Sequence, residues 1–148
     1  MTAATANERF DAPLQLPVAG AALDAVLAQT LLAQARQQGL ALGVKTADDG
    51  RYLMVNAALA ALLGGGSTDL VGRTDAELLD PATATLLRAA DQTALAQGDA
   101  LASDHRFDLR GERREFKVLR VAGTQGEHRL LCSLWQDLAP QRQRDHQL

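Results

Sequence analysis

Cysteine occurs once in this 148-residue chain, as Cys132 in an apolar run, and a single thiol excludes an internal disulfide or a multi-cysteine metal site. Aromatics are almost as scarce, with one Trp, one Tyr and three Phe, so the core is expected to be largely aliphatic. No uncharged apolar run approaches the roughly 18 residues that a membrane-spanning helix needs. The N-terminus carries Glu8, Arg9 and Asp11 ahead of Pro13 and Pro17, without the apolar centre of a secretory signal. These absences point to a cytoplasmic protein. Neither sign of charge dominates: 15 basic and 18 acidic residues give a formal net charge of −3 and no global field to attract nucleic acid or anionic lipid.

Catalytic constellations are missing as well. His105, His128 and His146 have no ligand-type spacing with Cys, Asp or Glu, so no metal is expected. No Ser, Thr or Cys nucleophile can be matched to a base, and the chain reads as a non-enzyme. Gly64-Gly65-Gly66 follows a helical run and lacks the Lys-Ser/Thr pair that grips phosphate, so it reads as a helix stop. The basic cluster Arg110, Arg113, Arg114 and Lys117 is interrupted by Glu112 and Glu115 and has no aromatic platform, which fits a solvated hairpin better than a nucleic-acid surface.

What is present is organised around Asp48 to Asn56. Asp49-Gly50 marks a turn because Gly tolerates positive φ, and strand-type runs flank it at Leu40–Thr46 and Tyr52–Val55. Asn56 is suited to cap the helix Ala57–Leu63, which stops at the three glycines. Ser67 or Thr68 opens a turn of helix through Val71. Thr74, with Glu77 three residues on, forms a capping box for another through Leu79. Pro81 opens the longest helix, closed by Gly98, with Arg88 and Asp91 as a solvated pair on its exposed side. Three strands follow, turning at Gly111 and around Gly123 and Gly126; the last, roughly Arg129 to Gln136, is apolar on both faces and needs cover on both.

Residues 1–20, rich in Ala and Thr and broken by Pro, are expected to be disordered. Residues 21–39 read as an amphipathic helix with Leu23, Val26, Leu27 and Leu31 on one face. That stripe either packs on the domain's own core or forms a seam between two copies.

This order of elements, with Gly50-Arg51-Tyr52 leading to Asn56 and then Val71-Gly72-Arg73-Thr74, resembles a PAS sensor domain over residues 40–137. The resemblance implies an α+β fold: a five-stranded antiparallel sheet with helices on one face and the N-terminal flanking helix on the other. It also implies a homodimer through that helix and the back of the sheet. Asp80-Pro81, Leu87-Arg88, Ala90-Asp91 and Ala96-Gln97-Gly98 are similar to PAS domains that precede diguanylate cyclase or histidine kinase modules. Asp137 then begins a signalling linker, residues 138–148, although Asp137-Leu138-Ala139-Pro140 departs from the family's Asp-Ile-Thr ending.

Flavin-binding members carry Asn-Cys-Arg-Phe where this chain has Asn56-Ala57-Ala58-Leu59, and haem-binding members take a His from the long helix, which here has none. Neither haem nor flavin is therefore expected. Strand alternation brings His105, Arg120, Ser133 and Trp135 to the same side as Phe107, Phe116 and Val118, candidates to line a pocket for a small apolar or carboxylate ligand. The competing arrangement is a filled core with Arg120 reaching solvent by its long stem. The functional expectation is a sensory module of a bacterial signalling protein, and the alternative is a ligand-free dimerisation scaffold.

Overall fold

The computed structural model describes residues 20–140 and Arg144. The chain divides into two compact units, residues 1–31 and 32–148. Of the first, residues 20–31 are described, and they are helical; this helix, α1 (Gly20–Gln38), continues across the boundary between the units. Val26, Leu27 and Leu31 are exposed and Leu23 is half-buried. The stretch expected to be disordered lies outside the described residues except for Gly20, which starts the helix.

The second unit runs β1 (Ala41–Thr46), β2 (Tyr52–Val55), α2 (Ala57–Leu63), α3 (Ser67–Leu70), α4 (Asp75–Leu78), α5 (Pro81–Gln97), β3 (Leu101–Leu109), β4 (Glu112–Gln125) and β5 (His128–Asp137). The strands form one five-stranded antiparallel sheet, as the resemblance implies, and their order in it is β2-β1-β5-β4-β3. Phe107, Phe116, Val118 and Trp135 of the sheet share a core with Leu59, Leu63 and Leu87 of the helices, so one face of the sheet is turned to α2–α5. Leu119, Val121, Cys132 and Leu134 alternate onto the other face.

Local chemistry explains most boundaries. Gly50 has φ 70° in the β1–β2 turn. Asn56 caps α2 through Oδ1, which accepts from Leu59 N (3.0 Å) and from Leu42 N (2.9 Å), while Nδ2 donates to Leu40 O (2.9 Å). One side chain thus fastens α2 to β1. Asp80 caps α5, with Pro81 at its first turn.

Three expectations are corrected. The capping box at α4 is half-formed: Thr74 Oγ1 accepts from Glu77 N (3.4 Å), but the Glu77 carboxylate turns to Arg51 (3.6 Å). Gly123 is no turn; β4 runs through it and reverses at Gly126, because its pairing with β5 continues to Gln125 opposite His128. Arg88 and Asp91 do not pair. The Asp91 side chain points into the protein, and Arg88 instead donates to the Asp48 carbonyl (3.3 Å).

Candidate functional site

Lys45 is on β1, a strand that reads as apolar, yet it is buried on the face turned to the helices. Its ammonium donates to Asp75 Oδ2 (2.5 Å) at the start of α4 and to Asp91 Oδ2 (2.7 Å) in the middle of α5. Asp91 Oδ1 accepts from Arg120 Nε (2.8 Å) on β4. Exposures of 4% for Lys45, 7% for Asp75, 4% for Asp91 and 1% for Arg120 decide the energetics: all four ions have left water. Several kcal/mol of desolvation per ion is tolerable only because two cations face two anions and no buried side-chain polar atom lacks a partner among the described residues.

The network has two extensions. Tyr52 Oη donates to Asp75 Oδ1 (2.6 Å), and the Lys45 ammonium lies 5.1 Å from the Tyr52 ring centroid. Burial and the Asp75 carboxylate push the Tyr52 phenol well above its ordinary range, so it stays a donor. A bulge makes this possible. Lys45 pairs with Tyr52 and Val44 with Met54, which skips Leu53 and leaves it exposed.

At the other end, Arg120 Nη1 donates to Ser103 Oγ (3.0 Å) and lies 3.1 Å from His105 Nε2, with Ser103 Oγ 2.8 Å from the same nitrogen. A guanidinium only donates, so His105 Nε2 accepts and its proton is on Nδ1. Burial and the Arg120 charge lower the His105 pKa in agreement with that neutral form.

Lys45, Asp75 and Asp91 of this network form the floor of a cleft of about 590 Å³, walled by the β1–β2 turn, α4 and the first three turns of α5. The space exists because α5 presents Ala84, Thr85 and Ala89 there instead of larger side chains. Asp49, at its rim, has its carboxyl lowered by the Thr46 hydroxyl and by Arg51.

The seven residues singled out as a pocket lining come together on the inner side of the sheet, six of them buried and His105 half-buried. Phe107 lies 5.7 Å from Trp135 and 6.2 Å from Phe116 between ring centroids; Phe116 meets Trp135 edge-on at 5.5 Å, and His105 stacks on Phe107 at 5.2 Å. Val118 is fully buried beside them, and Trp135 Nε1 donates to Ser133 Oγ (3.2 Å). Arg120 neither reaches solvent nor awaits a carboxylate, because Asp91 supplies one from within. Asp137 accepts from Arg114 (2.5 Å) and from Ala139 N (2.9 Å), fastening the chain's exit from β5 to β4.

Sequence reading missed Lys45, Tyr52, Asp75 and Asp91. The available signal was a lysine in an apolar strand and an aspartate at the centre of an alanine-rich helix, positions that need partners if buried. Among the described residues no three His, Cys, Asp or Glu side chains are placed to hold a metal, and no helix is long and apolar enough to cross a membrane.

A comparison with curated protein sequences finds no match. Solved structures share the architecture at low identity. The PAS domain of Bordetella pertussis BvgS is 19% identical with a TM-score of 0.61, covering 82% of this chain and 94% of its own. The Cronobacter turicensis RpfR quorum-sensing receptor PAS domain, in complex with BDSF, is 18% identical with a TM-score of 0.53, covering 68% and 95%. The Vibrio cholerae VqmA dimer in the absence of target DNA is 18% identical with a TM-score of 0.64, covering 76% of this chain and 52% of its own, so the chain spans about half the length of VqmA. The sequence profile of the PAS fold matches residues 36–143, most of the chain. With the strand order, the enclosed helices and that match in agreement, the chain belongs to the PAS fold family.

Proposed function

We propose that this chain is a sensory module that binds a small molecule in the cleft over Lys45 and Asp91 and passes the event to an output domain following Asp137. One observation carries the reading: the cleft floor is a buried charge network that continues through Arg120 into the sheet. A ligand contacting α5 or the β1–β2 turn would act on groups whose partners lie on β4 and β3. A signal requires that it bind two arrangements of this network unequally. Complexes of similar domains with small molecules, as with BDSF in RpfR, support the reading. Arg120, Ser103 and His105 hold the floor in it, and catalysis has no part. In this reading the module works in the cytoplasm, upstream of a diguanylate cyclase or histidine kinase.

The same module forms a homodimer through α1 and the outer face of the sheet. The exposed Val26, Leu27 and Leu31 on α1, and Leu119 and Val121 on β4, favour this. Native mass spectrometry of the purified protein tests both parts. A dimer retaining a small molecule is expected; a dimer with none would leave the scaffold, and a monomer with none would overturn both.

A further inference from the structure

The cleft's charges do not cancel within its lining. Its walls and floor carry the carboxylates Asp49, Asp75 and Asp91 and the cations Lys45 and Arg88. Each carboxylate has a cation of its own: Asp75 pairs with Lys45 (2.5 Å), Asp91 with Arg120 (2.8 Å) and Asp49 with Arg51 (3.1 Å). Arg88 is left over. Among the described residues it donates to a neutral group, the Asp48 carbonyl at 3.3 Å, and Asp48 is exposed and outside the lining. The Arg88 guanidinium lies against the turn, where a Cβ on Gly50 would be 3.0 Å from Nη1.

The surroundings of that cation are small and mixed. Thr85 and Gln92, three residues before and four after Arg88, share its helical face and bring a hydroxyl and an amide to the cleft. Pro81, Ala84 and Ala89 supply apolar wall. The volume of about 590 Å³ suits a small molecule.

We propose that the cleft takes a small organic monoanion, a carboxylate on a short apolar body, with the carboxylate on the Arg88 fork and the body along Pro81, Ala84 and Ala89. This rests on the sensory reading and names its ligand class. A planar carboxylate matches the paired N–H groups of a guanidinium. A dianion is disfavoured, because its second charge would meet Asp49 and Asp91 with no cation left to compensate it.

Hexanoate, hexanamide and inorganic phosphate, titrated separately into the 15N-labelled full chain, test the proposal. Hexanoate is expected to shift the Gly50, Thr85, Arg88 and Gln92 amides saturably, with hexanamide and phosphate weaker by about tenfold or more. Arg88→Gln is expected to weaken hexanoate by about tenfold, and Arg88→Lys by less, because it keeps the charge but loses the fork. Equal binding of hexanamide, or undiminished binding of hexanoate to Arg88→Gln, would overturn the assignment. Saturable shifts centred on Phe107, Phe116 and Trp135, or a neutral molecule retained on purification, would also overturn it while the sensory reading stood. No shift with any probe and no retained molecule would overturn both.

Discussion

The two faces of the sheet solve opposite problems. On the face turned to the helices, a lysine, an arginine and two aspartates are buried among aromatic and aliphatic side chains; on the other, Leu119 and Val121 are exposed. The inner side thus sets paired ions into an apolar core, while the outer face leaves some apolar side chains in water. The difference teaches that the inner face is specified by partners, since each buried ion lies within hydrogen-bond distance of at least one counter-charge. The outer face is specified by alternation alone, which leaves apolar surface available to another protein surface.

Breaking the inner network should give the largest effect. Asp91→Ala removes the shared acceptor of Lys45 and Arg120 and is expected to cost about 3–5 kcal/mol in denaturant unfolding. A cost below about 1 kcal/mol would erase the contrast between the faces. Tyr52→Phe should cost less, about 1.5–3 kcal/mol, because Asp75 loses one hydrogen bond and keeps Lys45.

A smaller effect belongs to pH. The folded His105 pKa lies below its ordinary 6.5, so the unfolded chain binds more protons in that window. Stability should therefore fall as pH drops through and below about 6.5, and His105→Gln should flatten that part of the profile. An unchanged profile in the variant would place the titration elsewhere. The smallest effect is expected on the outer face: Leu119→Ser and Val121→Ser should each change subunit stability by no more than about 0.5 kcal/mol. Light scattering sharpens the contrast, since these substitutions should lower the subunit number if a second copy covers that face.

Much of this fold is legible locally. Asn56 and Thr74 announce helix starts through side chains that reach only three residues ahead, Pro81 announces another by its fixed φ, and Gly50, Gly98 and Gly111 end elements for backbone reasons. The alternation of Phe107 and Leu109, of Phe116 and Val118, and of Leu131 and Trp135 correctly assigns their faces. The site is less legible. Spacing alone makes Arg88 and Asp91 look like a surface pair, since residues three apart on a helix are neighbours whatever they face.

The sequence by itself determined the order of elements, their caps and turns, and which strand residues share a face, because each depends on interactions a few residues long. Only the tertiary structure decided that Lys45 meets Asp75 and Asp91, 30 and 46 positions away, that Arg120 meets Asp91 at 29, and that a bulge turns Tyr52 inward in place of Leu53. The reason is physical: a buried charge is tolerable only beside its counter-charge, and which counter-charge arrives is set by how the sheet and helices close on each other.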